Sequence, residues 1–527
     1  MKKTMKQHSF ASRLKSLALV FGIALAFASC ANEDIAQNPN GTDNNKNFTI
    51  FSTGDPTTRT SMESNGAFYW EAGDKIWVKD DNGTWRQSRN APTEKTASFK
   101  FEVPGKFTKT TTYKVYYPGQ NGNQNQVTIV ANQSQSEPNT TAHFGTSGDC
   151  GMADAAWSNT KNGFAFTLDH KAAYLLFLPR TSNTILHDCY LTKVEVNSDN
   201  DITDTYTLNP ATGKLTGTGT GKQIIVSTGG SGTYYNGFPL TNSTASAATN
   251  GAYMVIKPGT HTLKIRYWVK DVATGTEGTI TKTLSSATYD QNKYYNITAN
   301  LDVKNYDGDH YYMWDAQQQY WYGYEWTRHL SGNTGQPTLD GNSSSNYAQS
   351  NSDVSRWYHE GGGSGRFDAT HSSCKDLPNA NEMSWYCVYG DPRWDADELW
   401  TTMGHLYKGG MWFKKKSVLL AENHYDTELS ADGTTDMRTT YKNYSNYNSS
   451  INNSGLPSAA DAGNYIYLPA LGRYNSGQLS TVGYGYCWSS SANPWNSGYA
   501  YGLSFSSGYV TVDDYGRNNG FRAEAFQ

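Results

Sequence analysis

Five cysteines follow Cys30 in this 527-residue sequence: Cys150, Cys189, Cys374, Cys387 and Cys487. Thiol chemistry needs a thiolate, and a thiolate needs a second cysteine, a metal or a cation beside it. No C-x-x-C occurs, so zinc-finger and thioredoxin-type sites lack support. The odd number leaves at least one thiol free or paired between chains, and Cys150 with Cys189 and Cys374 with Cys487 are the candidate disulfides. His170 ends the pattern Phe164–His170 with no nucleophile or carboxylate pair at informative spacing, so a satisfied structural histidine is expected there. The chemistry that remains is recognition. In "YAYGLSFSSGYVTVDDYGRNNGF", from Tyr499 to Phe521, Tyr501, Leu503, Phe505, Val510 and Val512 form an inward set. Gly502, Ser504, Tyr509, Thr511, Asp513, Asp514 and Tyr515 are read as the outward set, and with Asn496, Tyr499 and Ser506 they make up the candidate ligand-binding residues. Tyr offers large contact area with few rotatable bonds, and Ser, Gly and Asn adapt their hydrogen bonds, as in antibody loops.

The elements that must hold such a face are strands. Charged residues are 17% of the chain, against 38 Tyr, 50 Gly and 15 Trp, a composition of β-rich secreted proteins. Net charge is -4 with no basic stripe, so nucleic acid is not an expected partner. A basic start (Lys2, Lys3, Lys6, Arg13, Lys15) precedes "LALVFGIALAFA", an apolar run short for a membrane span, and residues 1–29 read as a signal peptide ending before Cys30. Residues 30–47 are polar and aperiodic, a tether. From Phe48 short alternating segments recur between Gly, Asn, Asp, Pro and Ser, the pattern of β-sandwiches. A second β series runs from "GFAFTLDHKAAYLLFLPR" to "KYYNITANL", and from about Asp302 Trp, Tyr and Gly crowd in. One short helix is expected at "PNANEMSWYCVYG", where Asn379 and Glu382 have capping-box spacing and Met383, Tyr386 and Cys387 share a face. Residues 443–459 read as a long polar loop.

The first two-thirds resembles the fimbrillin family, the pilins and pilin-like lipoproteins of the Bacteroides group. The resemblance rests on Thr58–Thr60, on the Trp-x-x-Gly-Asp-x-Ile-x-Val pattern within Phe68–Val78, on Phe164–His170 and on "KYYNITANL". It implies two transthyretin-like β-sandwich domains, 48–160 and 161–302. Trp70, Ile76 and Val78 alternate as an inward face, with Gly73 and Asp74 turning between strands. "FASC" followed by Glu33 and Asp34 resembles a lipoprotein signal with the group's surface-export motif, which implies lipidation at Cys30 and anchoring in the outer membrane. The family further implies proteolytic processing, mapped here onto Arg59, and partnership with other pilin subunits by donor-strand exchange.

Residues 303–527 resemble the C-type-lectin-like fold in its branch shared with formylglycine-generating enzymes, through Cys374–Tyr386, Gly409–Lys415, Tyr467–Leu479, Gly483–Ser491 and Arg517–Arg522. The overall expectation is mainly β plus α+β. An enzyme of that branch needs a reactive cysteine pair, and only Cys487 lies late in the chain, so no enzyme is expected. Glu137–Asn139 matches the sugar-binding triplet of calcium-dependent lectins but sits in the first pilin domain, and "NPW" at Asn493–Trp495 is not that triplet, so neither metal nor cofactor is implied. The end of the chain also resembles the variable proteins of diversity-generating retroelements. Asn496–Arg522 lacks Lys, Glu, Gln, Met and Trp, as adenine-targeted variation of A-A-pyrimidine codons requires, although Asn443–Gly477 lacks them too. Position is the better clue, because only outward residues vary at little cost to stability. Trp488, Trp495 and Arg517 are expected in the frame, with Trp488 inside. The expected role is a cell-surface adhesin at a pilus tip, binding a protein or surface glycan. A purely structural pilus or matrix lipoprotein and an oxidase-like enzyme are the alternatives.

Overall fold

Phe51 shows how the first sheet is built. The computed structural model describes residues 48–53, 61–62, 68–325, 345–361, 365–458, 460–480 and 483–526. Cys30 and Arg59, with the signal and tether segments, lie outside the described residues. The strand Phe48–Thr53 runs inside its sheet, one strand from the edge, parallel to Gly163–Phe166 and antiparallel to Lys100–Pro104. Phe51 is buried there, stacked on Phe164 at 5.0 Å and edge-on to Phe107 at 5.1 Å. Trp70, Ile76 and Val78 are buried in the same core, and Gly73 takes the left-handed conformation (φ 88°) that the turn needs. Asp74 locks that turn by accepting from the Glu71 N–H at 2.8 Å and from the Tyr117 hydroxyl at 2.8 Å.

The chain is mainly β. A second core lies between the sheet Glu277–Tyr289, Gly259–Asp271, Cys189–Ser198, Gln223–Thr228, Asn132–Gln135 and the smaller sheet Ala252–Ile256, Ala173–Arg180, Tyr294–Asn300. No single cut near residue 160 separates the two cores. Asn132–Gln135 pairs forward with Gln223–Thr228, while Gly163–Phe166 pairs back with Phe48–Thr53. Cys150 and Cys189 line the second core as free thiols, so the first expected disulfide is absent. His170 is buried with Nδ1 3.0 Å from the Asp149 carboxylate, a structural role as expected. Asn139 of the Glu-Pro-Asn triplet accepts from the Tyr253 hydroxyl at 3.0 Å, so that side chain braces the core.

The C-terminal unit has a sheet Lys304–Tyr306, Arg393–Thr402, His405–Lys414, Tyr465–Pro469 and a six-stranded sheet ordered Tyr311–Tyr312, Phe521–Arg522, Gly485–Ala492, Tyr499–Ser506, Tyr509–Gly516, Tyr444–Asn446. The expected helix spans Ala380–Tyr389 and carries both halves of its capping box; Met383, Tyr386 and Cys387 are buried. The polar stretch 443–459 is not only loop: Tyr444–Asn446 pairs with Val510–Val512 and closes the sheet edge.

This unit is docked onto the tip of the long hairpin Gly259–Asp271/Glu277–Tyr289. The Asp271 carboxylate accepts from the Leu406 N–H at 3.0 Å, the Thr274 hydroxyl donates to the Leu406 carbonyl at 3.1 Å, and Lys408 Nζ donates to the Glu277 carbonyl at 2.9 Å. Asn183 adds a bond to the Thr401 hydroxyl at 2.9 Å. Burial alone would raise the Asp271 carboxyl, but His405 and the N–H groups of Leu406 and Ala273 hold it below the ordinary value.

Candidate functional site: the far edge of the C-terminal sheet

Strand period places each candidate residue. Leu503 stands opposite Val512 and Phe505 opposite Val510, and with Tyr501 they are fully buried against the helix. The inward set is therefore as the alternation predicts. The other face departs from expectation. Gly502, Ser504 and Ser506 are buried, because rings from neighbouring strands roof them over. Phe521 stacks on Trp488 at 4.1 Å and meets Tyr515 at 5.1 Å and Tyr486 at 4.9 Å. A Cβ on Gly502 would lie 3.0 Å from the Cys487 carbonyl and 3.3 Å from the Tyr515 and Phe521 rings. Ser504, 2% exposed, accepts from the Tyr515 hydroxyl at 2.8 Å and shares a 2.8 Å bond with Thr511. A sheet buried on both faces was not legible from one strand's alternation.

Asp514 also differs from its expected side. Consecutive residues point to opposite faces, and Asp514 stands opposite Tyr501, on the inward side at the sheet's end. Its carboxylate accepts from Asn493 Nδ2 at 2.6 Å, and the Tyr441 hydroxyl reaches both Asp513 and Asp514, at 3.3 and 3.4 Å. Burial first, then the neighbouring Asp513 charge, raise the Asp514 carboxyl despite the Asn493 bond.

Exposed rings reach solvent in two separate groups, one at each end of the strand Tyr509–Gly516. At one end Tyr447, 70% exposed, and Tyr484 flank Tyr509, with centroids 6.0 and 6.3 Å from its ring. At the other end Trp495, 66% exposed, lies 5.2 Å from Tyr441, next to exposed Tyr499 and Asn496. Trp495 was expected in the frame; Asn493 turns it out. Asn493 Oδ1 accepts from the N–H groups of Trp495 and Asn496 at 2.7 and 3.1 Å, a side-chain turn around Pro494. That Asn-Pro-Trp signal was present in the sequence. Tyr441, Tyr447 and Tyr484 carried no strand pattern of their own and were missed. Trp488 and Arg517 are buried as expected, with Arg517 set 4.5 Å over Trp314 and bonded to the Tyr499 carbonyl at 3.0 Å. Thr511, Asp513 and Tyr515 are half-buried along the middle of the strand.

The thiols are unsuited to nucleophilic chemistry. Cys487 stands opposite Leu503 and faces the helix core, whereas Cys374 packs with Trp488 on the other face of the same sheet, so the second expected disulfide cannot form through it. Burial pushes Cys374, Cys387 and Cys487 each up to about 12. Asp307, His310 and Glu524 come together as potential metal ligands, but Arg522 already lies 2.6 Å from Glu524 and 3.6 Å from Asp307.

No family model and no curated protein matches the chain. Among solved structures it is similar to a protein assigned to cell adhesion from Bacteroides uniformis, at 18% identity and TM-score 0.27, over 50% of this chain and 95% of that one. It is similar to the fimbrial anchor protein Mfa2 from Porphyromonas gingivalis at 11% identity and TM-score 0.22, over 45% and 83%. A fimbrial assembly protein from Parabacteroides distasonis gives 11% identity and TM-score 0.24, over 48% and 90%. Scores this low establish neither a shared fold nor a shared role.

Proposed function

We propose that this chain is a cell-surface adhesin of pilus type, non-enzymatic, whose C-terminal unit presents the exposed aromatic groups at the ends of Tyr509–Gly516 to a partner. The observation that carries the reading is the exposure of Tyr447 and Tyr484 at one end of that strand and of Trp495 and Tyr499 at the other. Large exposed aromatic groups are costly to keep in water and are enriched where proteins bind. The binding residues are then Asn496, Tyr499, Tyr509, Thr511, Asp513, Asp514 and Tyr515, joined by Tyr447, Tyr484 and Trp495. Gly502, Ser504 and Ser506 act as the rigid floor. The fimbrillin resemblance supplies the setting: lipidation at Cys30, an outer-membrane anchor, two sandwiches within 48–302 that trade strands across residue 160, and a further unit at 303–527. Diversification, on this reading, is confined to the rim.

Assembly follows from the place of the first strand. Cleavage after Arg59 would release Phe48–Thr53 from between its two neighbours and open a slot between Gly163–Phe166 and Lys100–Pro104 for another subunit's strand. A lectin-like unit that stands where the family's donor strand would follow the second sandwich suits a subunit that accepts a strand without donating one, as at a tip. The test is a binding assay on epithelial cells and mucin with the intact chain and with a Tyr447→Ser, Trp495→Ser, Tyr499→Ser variant. Loss of binding in the variant with unchanged melting is expected; equal binding would overturn the adhesin site. Gold labelling along the whole pilus shaft would overturn the tip position.

A further inference from the structure

A cleft runs along the seam between the second sandwich and the C-terminal unit. It lies on the sheet that contains Arg393–Thr402, His405–Lys414 and Tyr465–Pro469, whereas the strand Tyr509–Gly516 belongs to the other sheet. One part of the cleft is a cavity of about 300 Å³ lined by Tyr306, Trp400, Trp412 and Tyr467, together with Lys304 and Glu398. Lys304 and Glu398 also line an adjoining cavity of about 750 Å³ that reaches Arg266 and Thr281 on the long hairpin. The sheet builds the aromatic floor. Tyr467 stands opposite Trp412 on the neighbouring strand, with ring centroids 5.2 Å apart. Trp412 Nε1 donates to the Asp395 carboxylate at 3.2 Å, which fixes the indole. A Cβ on Gly410 would lie 2.5 Å from the end of the Tyr467 ring and from its hydroxyl, so glycine there lets the ring lie down over the strand. Among the described residues the buried Tyr467 hydroxyl has no hydrogen-bond partner, and the nearby Trp400 N–H is committed to the Gly409 carbonyl at 2.9 Å. An unpaired buried hydroxyl is costly, and a ligand that bonds it removes that cost. Burial first, then the Asp395 and Glu398 charges, push the Tyr467 phenol up, so it stays protonated and can donate as well as accept. The Lys304 ammonium lies 4.4 Å from the Tyr306 ring centroid, and among the described residues neither Lys304 nor Glu398 is held in an ion pair.

We infer that this cleft binds a neutral sugar chain, with one pyranose ring laid on Tyr467 and Trp412 and its hydroxyls bonded to the Glu398 carboxylate, the Lys304 ammonium and the Tyr467 hydroxyl. Charges of both signs beside one aromatic floor select for neutrality. A sugar hydroxyl both donates and accepts, so it bonds a carboxylate and an ammonium alike. An anion is attracted at Lys304 and repelled at Glu398, and a cation meets the reverse. A purely apolar ligand would cover the rings but take the carboxylate, the ammonium and the phenol out of water without partners. The C–H face of a pyranose is apolar and matches an aromatic face. A volume of about 300 Å³ stands at the lower end of ligand pockets, and the adjoining cavity leaves room for the sugar chain to continue toward the hairpin. The site is separate from the rim of Tyr509–Gly516 and does not rest on the adhesin reading.

The experiment titrates the intact chain with maltotriose, cellotriose, mannotriose and tri-N-acetylchitotriose, followed by calorimetry and tryptophan fluorescence. Two charged trisaccharides serve as comparators: chitotriose, the amine form of the acetylated sugar, and trigalacturonate. At least one neutral trisaccharide is expected to bind about fivefold or more tighter than both charged ones. Trp412→Ala and Tyr467→Ala should each weaken it about tenfold, and Glu398→Gln, at an exposed position, about threefold. Trp412→Phe and Tyr467→Phe keep a ring should the alanine variants not fold, and each should weaken binding by less. Tyr467→Phe should leave melting unchanged, because its hydroxyl makes no bond in the free chain. The rim variant Tyr447→Ser, Trp495→Ser, Tyr499→Ser should bind the sugar as the parent does. No binding of any neutral trisaccharide at millimolar concentration overturns the inference, as does a charged trisaccharide that matches the best neutral one. Cleft variants that bind as the parent does overturn it too, and loss in the rim variant alone would put the sugar at the rim instead. Sugar held at the cleft by a chain that fails to adhere to cells refutes the adhesin reading and leaves the cleft standing.

Discussion

Ser504→Tyr and Asn496→Tyr place the same side chain at two positions that the sequence does not distinguish, and they should behave oppositely. Ser504 is buried under Tyr515, with two hydrogen bonds at 2.8 Å. Tyrosine there removes both bonds and leaves the Tyr515 and Thr511 hydroxyls short of partners, a loss of about 1–3 kcal/mol. It also forces a ring into a filled layer, which costs about 1–3 kcal/mol more. Together the change should destabilise the C-terminal unit by about 2–6 kcal/mol. Asn496 is exposed, and its side chain makes one bond, accepting from the Gly498 N–H at 2.9 Å, so Asn496→Tyr should cost about 1 kcal/mol or less. Urea unfolding followed by tryptophan fluorescence reads the difference, because Trp488 and Trp314 lie in the affected layer. If Ser504→Tyr unfolds within about 0.5 kcal/mol of the parent, the floor is not a floor, and all the candidate positions could vary freely after all.

Three further outcomes follow from the cores and the junction. Phe51→Ala should destabilise the first sheet by about 3–5 kcal/mol and raise its protease sensitivity, since the ring is fully buried among Phe107, Tyr113 and Phe164. Gly485→Ala should destabilise strongly, because its Cβ would come within 1.9 Å of the Phe505 ring; Phe505→Leu in the same chain should recover part of that loss, and purely additive effects would refute the contact. At the junction Asp271 has a lowered carboxyl, so its stabilisation is fully present above the unfolded carboxylate value, about 4, and is lost as pH falls through the folded value. The protection of the Leu406 amide, its exchange taken relative to the intrinsic rate at each pH, should fall on acidification, and Asp271→Asn should flatten that dependence; an unchanged protection profile would refute the role given to Asp271.

The local signals that proved legible were those fixed by short-range geometry. The alternation at Leu503, Phe505, Val510 and Val512 named the core side correctly, because a strand's side chains must alternate. Asn379 and Glu382 announced the helix start, because both halves of a capping box lie within four residues. What failed depended on distant chain. Ser504 and Gly502 look like surface until Phe521 and Tyr486 arrive to cover them. Tyr444–Asn446 looks like loop until it finds the open edge at Val510–Val512. The exchange of Asn132–Gln135 and Gly163–Phe166 between cores is likewise a matter of which edges remain unpaired, a property of the assembled sheets. Asp514 is a different case: strict alternation already excluded it from the face that holds Asp513.

The hairpin tip on which the C-terminal unit sits also bears on mechanics. Asp271 and Glu277 close the two longest strands among the described residues, thirteen residues each, or about 43 Å of extended backbone. A tensile force on the Trp495 corner therefore enters the second sandwich at one end of that ribbon and runs along its strands. Pulled lengthwise, the cross-strand hydrogen bonds share the load in shear instead of opening one after another. The links in series at the seam are then the few bonds to Leu406 and Thr401 and the burial of Leu399 and Leu406 in the second core. Under rising load the binding unit should part from its mount before either sandwich unravels.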